Sequence, residues 1–99
     1  MGNLKFTKKA VLDLDEIWAY TLKEWSEGQA DKYYNELIKF CKVLSDTPNL
    51  GKVYSIIHPN LLGFKVNKHI IFYRILNSDL IEITRILHGK MDLKVKFNE

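Results

Sequence analysis

The sequence predicts an α+β fold, a small antiparallel sheet packed against an α-helical hairpin, in the order β-α-α-β-β-β with a short C-terminal tail. Three observations predict it. Two apolar stripes at helical spacing, before and after Ser26, are joined by a connection short enough to force an antiparallel hairpin. Three runs rich in β-branched and aromatic residues follow, separated by turn formers. Finally, 99 residues make a single domain, 1–99, that buries a core best in two layers.

The first strand is LKFT, Leu4 to Thr7, with Leu4 and Phe6 on one face. Thr7 then caps a helix from Lys8 to Trp25, because its hydroxyl can accept from the orphan N–H groups of the first turn. Val11, Leu14, Trp18, Leu22 and Trp25, with Ile17 beside them, step by threes and fours and form one stripe. Asp13, Asp15, Glu16 and Lys23 fall mostly off it. Ser26 followed by Gln29 fits the capping box of a second helix, which runs to Asp46 on the stripe Ala30, Tyr33, Leu37, Cys41 and Leu44. Pro48 and Gly51 break that helix. An irregular stretch turning at Pro59-Asn60 leads into strands Leu61–Asn67, His69–Leu76 and Leu80–His88.

The loop Asn77-Ser78-Asp79 sets the register of the last two strands. Three loop residues pair Arg74 with Glu82, Phe72 with Thr84 and Ile70 with Ile86, giving Arg74 an acidic cross-strand partner. One face then holds Ile70, Phe72, Arg74, Glu82, Thr84, Ile86 and His88. The other holds Ile71, Tyr73, Ile75, Ile81, Ile83, Arg85 and Leu87, and should cover the helices. A two-residue loop would instead place Arg74 and Arg85 together.

Composition excludes several classes. The chain is 46% hydrophobic and 27% charged, as ordinary folded domains are. No run approaches the roughly 20 apolar residues of a membrane span, and MGNLKFTKKA lacks an apolar signal core, which points to the cytoplasm. The lone Cys41 excludes an internal disulfide and reads as a buried thiol. His58, His69 and His88 are too scattered for a metal site, and no cofactor motif is present. Fifteen Lys and Arg against 12 Asp and Glu give a net charge of +3. The excess concentrates in Lys65, Lys68, Arg74, Arg85, Lys90, Lys94 and Lys96, a positive pole that would steer an acidic partner.

The segment ITRILHGKMD, residues 83–92, brings Arg85, His88 and Lys90 together in sequence. Arg85 and His88 could be the charge clamp and acid/base of a nuclease. Strand alternation opposes this, since residues three apart point to opposite faces unless a bulge intervenes. His88 otherwise reads as a hydrogen-bonding residue at a strand end. Arg85 among aliphatics needs either a partner or a route to solvent. Trp18, Tyr20, Trp25, Tyr33 and Tyr34 are more aromatics than one hairpin can hide, and those left exposed, notably Tyr20 off the main stripe, suit a docking patch.

The β-α-α-β-β-β order, the tail ITRILHGKMD, the hairpin core NKHIIFYRI and the segment WSEGQADKYYNELIKFC together resemble the ParE branch of the RelE/ParE toxins. The resemblance spans Leu4 to Leu93. It implies the toxin of a bacterial type II toxin–antitoxin pair that inhibits DNA gyrase by binding. Its partner would be a ParD-like ribbon-helix-helix antitoxin, with DNA reached only through that antitoxin or gyrase. RelE-like relatives instead cut mRNA on the ribosome, with cations on phosphate and a tyrosine or histidine near the C-terminus. Where such a nuclease carries its strand arginine this chain has Ile70, and where its tyrosine would follow the last strand it has Gly89. No catalytic residue is therefore assigned. The resemblance makes Arg74, Arg85, His88 and Lys90 candidates for the gyrase surface. Trp18, Tyr20, Trp25 and Tyr34 are candidates for the antitoxin surface. An endonuclease using His88 with Lys65, Lys68 and Arg85, or a non-toxic antitoxin-binding paralogue, is the alternative.

Overall fold

The computed structural model describes residues 2–99. Strand β1 (Asn3–Phe6) leads into helix α1 (Lys8–Glu24) and helix α2 (Glu27–Asp46). A 3-10 turn (Pro48–Leu50) precedes strands β2 (Lys52–Val53), β3 (Leu62–Val66), β4 (His69–Asn77) and β5 (Leu80–His88), and helix α3 (Leu93–Phe97) closes the chain. The α+β class holds. Both predicted helix starts also hold: Ala10 N–H donates to Thr7 Oγ1 at 3.0 Å, and Gln29 N–H to Ser26 Oγ at 3.1 Å.

Four expectations are corrected. The sheet has five strands in the order β1-β5-β4-β3-β2, and β1 pairs with β5 in parallel, so it is mixed rather than antiparallel. Part of the stretch expected to be irregular forms β2, and part of the tail forms α3. Asp92 nucleates α3 by accepting the Val95 N–H, and Leu93 and Phe97, one turn apart, share its inner face.

The third correction is the register. Arg74 does oppose Glu82, and the two form an ion pair at 2.9 Å. The loop, however, is two residues long, with Asn77 opposite Leu80, and Leu76 bulges between Ile75 and Asn77. Thr84 bulges in turn, because Tyr73 opposes Ile83 while Phe72 opposes Arg85. Its hydroxyl donates to the Phe72 carbonyl at 3.0 Å and stabilises the irregularity. Past this bulge every β5 side chain is exchanged between faces. Ile86 joins Ile71, Tyr73, Ile81 and Ile83 under the helices, and Leu87 joins Ile70, Phe72 and Leu61 on the far side.

Helices α1 and α2 cover one face through Ala10, Leu14, Leu37, Cys41 and Leu44. The far face is covered by Tyr54, Ile57, Leu93 and Phe97. The α2 stripe is as expected. The α1 stripe is rotated: its buried residues are Ala10, Asp13, Leu14 and Thr21, while Val11, Leu22 and Trp25 are exposed. Ala10 and Leu14 meet the sheet, leaving Val11, Leu22 and Trp25 outside.

Candidate functional site

Strand β1 covers β5 only as far as Ile83. Beyond it, α1 supplies what a strand would have supplied. Thr7 N–H donates to the Ile83 carbonyl at 3.0 Å, Thr7 Oγ1 donates to the Thr84 carbonyl at 2.7 Å, and Ile86 N–H donates to Asp13 Oδ2 at 3.0 Å. Between this edge and the outer side of α1 lies an open groove of about 1310 Å³. Leu12, Glu16, Tyr20 and Trp25 line its helical wall, Arg85 to His88 its strand wall, and Lys68, Lys90 and Met91 its end. Tyr20 is 65% and Trp25 76% exposed, so the groove carries large unpaired apolar surface.

Asp13 and Arg85 form the central pair. Arg85 Nε and Nη2 donate to the two Asp13 carboxylate oxygens at 2.8 and 3.0 Å, a fork-on-fork contact. Nη1 donates to the Lys96 carbonyl at 2.6 Å. The Arg85 side chain is only 12% exposed. Its hydrogen bond to Asp13, more than the attraction of nearby carboxylates, holds its pKa above the ordinary arginine value. The partner that the sequence demanded for Arg85 is thus a carboxylate read as lying off the helix stripe. The signal was the spacing itself, since Asp13 falls one turn from Ala10 and Ile17.

At the other end of the groove, His69 and His88 stack edge to face at 5.3 Å between ring centroids. Tyr33 Oη stands 2.7 Å from His69 Nδ1 and 3.2 Å from the Val66 carbonyl. Both bonds form together when the hydroxyl donates to the carbonyl and accepts from Nδ1–H, which assigns the His69 tautomer. Burial, reinforced by the charge on His88, lowers the His69 pKa to about 4. His88 Nδ1 accepts the Lys90 N–H at 3.1 Å, the strand-end bond expected of it.

The candidate residues fall into separate places. Arg85 and His88 do lie on opposite faces, as alternation required, but the bulge at Thr84 precedes them and reverses which is which. Arg85 starts on the far face with Leu87 and wraps round the open edge, whereas His88 lies on the helix side with His69. Lys90 lines the groove, and Arg74 is held at the other end of the hairpin by Glu82. Tyr20 and Trp25 line the groove. Trp18 and Tyr34 border a shallow dimple across α1 with Asp15 and Asp31, where Trp18 Nε1 donates to Asp31 at 2.9 Å. Gly89 and Ile70 meet: a side chain added at Gly89 would begin 3.8 Å from Ile70 Cδ1.

A helical hairpin on a mixed sheet, with one strand edge left open beside the first helix, makes this a small α+β domain built around an open, partly apolar groove. The profile of the "ParE toxin of type II toxin-antitoxin system, parDE" matches residues 4–93, and the chain belongs to that family. Toxin ParE1 of Mycobacterium tuberculosis is 31% identical over 80 residues, covering 81% of this chain and 82% of the relative. Toxin ParE1 of Caulobacter vibrioides is 28% identical over 94 residues, covering 95% and 96%. Among solved structures, a chain of the "Chromosomal ParDE TA system from P. aeruginosa" shares the fold with a TM-score of 0.78 at 24% identity, over 91% of this chain and 98% of that one.

Proposed function

We propose that this chain, read as one domain, acts in the cytoplasm by binding and inhibiting DNA gyrase, with no catalytic residues of its own. A ParD-like ribbon-helix-helix antitoxin neutralises it. The antitoxin's C-terminal segment enters the groove over Tyr20 and Trp25 and crosses α1 to Trp18 and Tyr34. DNA is reached only through gyrase or the antitoxin complex. Of Arg74, Arg85, His88 and Lys90, the residues proposed to face gyrase, Lys90 is offered most directly because it is exposed at the end of the groove, whereas Arg74 and Arg85 are paired with Glu82 and Asp13.

The observation that carries the binding reading is the corner where Ile70 meets Gly89. In-line cleavage of RNA needs cations against developing charge and a group to move the proton. At this corner positions 70 and 89 are a buried isoleucine and a glycine, so neither supplies a guanidinium or a phenol beside Lys68, His88 and Lys90. Arg85, the nearest guanidinium along β5, is already committed to Asp13 and Lys96.

The test is a paired assay of purified protein on gyrase supercoiling and on ribosomes translating a reporter mRNA. Supercoiling should stop and the message stay whole. Cut mRNA with normal supercoiling would establish the endonuclease alternative instead, and inertness in both assays would establish the non-toxic paralogue. With the antitoxin, Trp25→Ala should weaken binding by at least tenfold, as loss of an aromatic anchor worth about 2 kcal/mol or more does.

A further inference from the structure

We infer that Asp13 and Arg85 are positioning residues that couple helix α1 to the docking of α3, so that the groove and the basic C-terminal tail are set by one bridge. The argument begins with α3 itself. Five residues cannot hold a helix in water, because nucleation costs more than so few hydrogen bonds return. Something else must fix it. Leu93 and Phe97 rest on the far-face cluster, with the Phe97 ring 5.9 Å from that of Phe72 in an edge contact. Among the described residues, the hydrogen bonds that tie α3 to the sheet come from Arg85: its Nη1 donates to the Lys96 carbonyl at 2.6 Å, which also takes the Glu99 N–H at 3.3 Å, and to the Phe97 carbonyl at 3.4 Å.

Arg85 can serve α3 only if its guanidinium is held at the sheet edge, and Asp13 is what holds it. Two of the three guanidinium nitrogens donate to Asp13, and the third is thereby aimed at α3. Asp13 is itself fixed by the Ile86 N–H, a group free to point at α1 only because β1 ends at Ile83. The bridge therefore runs from α1, round the open edge of β5, to a helix on the opposite face of the sheet. Arg85 sits at the far-face end of this path only because Thr84 bulges. A lysine could not replace it, since one ammonium cannot face both a carboxylate and a carbonyl in this fixed fork.

The consequence for binding follows from linkage. A partner in the groove that offers a cation to Asp13 draws on the same carboxylate that orients Arg85, and so loosens α3. By reciprocity, an ordered α3 weakens that partner. The coupling is read on the free chain and needs neither gyrase nor antitoxin, so it can fail while the binding reading stands, and the reverse.

Amide hydrogen exchange tests it. Val95, Lys96 and Asn98 N–H groups bond within α3 and report its docking. Asp13→Asn keeps an acceptor for Ile86 N–H and removes the charge. It should speed exchange at these three amides at least tenfold while amides of His69–Asn77 keep their protection. Among the described residues no hydrogen bond or ion pair joins Asp13 to α3, so unchanged α3 exchange in that variant overturns the coupling. Should Asp13→Asn loosen β4 as well, Phe97→Ala gives the decision from the opposite end. Undocking α3 should speed exchange of the Arg85 Nε–H, whose acceptor is Asp13 and not Phe97, by several-fold. An unchanged Nε–H with α3 frayed would refute the bridge.

Discussion

His69 provides the clearest pH test of the groove. Its ring is half-buried between Tyr33 and His88, and its pKa falls from 6.5 to about 4, first through burial and then through the charge on His88. In the unfolded chain the ring takes a proton near pH 6.5, whereas in the folded chain it resists one until about pH 4. Between those values the unfolded state binds more protons, so stability falls as pH falls, and the loss levels off below about 4. Fully shielded, the shift would correspond to about 3 kcal/mol; solvent at a half-exposed ring trims this to roughly 1–2 kcal/mol. His69→Asn removes the titration and retains a donor to Tyr33 Oη, because the asparagine amide nitrogen takes the place of Nδ1. Urea unfolding at pH 7.5, 6, 5 and 4.5 would give the stability of each protein. The wild type should lose roughly 1–2 kcal/mol more than the variant over that range, the difference isolating His69 from the carboxylates. Parallel curves for the two proteins would mean that His69 is not held neutral, and the tautomer assignment would fall with it.

Two further outcomes concern the core. Tyr73 is fully buried, with its hydroxyl donating to the Pro48 carbonyl at 2.6 Å and accepting the Gly51 N–H at 2.9 Å. Tyr73→Phe orphans both partners and should cost about 1–3 kcal/mol, seen as a lower urea midpoint at unchanged slope. Burial pushes the Cys41 thiol up to about 12. Iodoacetamide at pH 8 should therefore label the native protein at least a hundredfold more slowly than the urea-unfolded chain, and comparable rates would place Cys41 outside the core.

How far the sequence foretold this molecule depends on the range of the forces involved. The helix starts at Thr7 and Ser26 were legible because a cap is a local bond between residues three apart. The α2 stripe was legible because Leu37, Cys41 and Leu44 are apolar and meet an apolar sheet. The α1 stripe differs from the expected one because Trp18, Leu22 and Trp25 look like core, while the face packed on the sheet is the one that carries Ala10 and Leu14. The spacing of Asp13 from Ala10 and Ile17 puts it on the inner face, but what lets a carboxylate stay there is Arg85, 72 residues away. The face of Arg85 was wrong for a related reason: nothing in Ile-Thr-Arg announces a bulge, and one extra residue exchanges every side chain beyond it. The alternation that separated Arg85 from His88 survived because the bulge falls before both. The α3 helix did leave a signal in Asp92, Leu93 and Phe97, masked by its basic flanks. The parallel pairing of β1 left none, since it depends on where the last hairpin lies.

That parallel pairing has a consequence for synthesis. Thr7 and Thr84, bonded across the end of β1, stand 77 residues apart in the chain. A ribosome delivers β1, α1 and α2 well before their partner strand exists, and contacts of such separation form late. The helical hairpin must wait with its inner stripe uncovered, and the sheet closes only when β5 has been made. A fragment ending before Leu80 contains the whole helical wall of the groove and none of its strand wall. The groove thus lacks its β5 wall until that strand has been made, a delay written into the order of the strands.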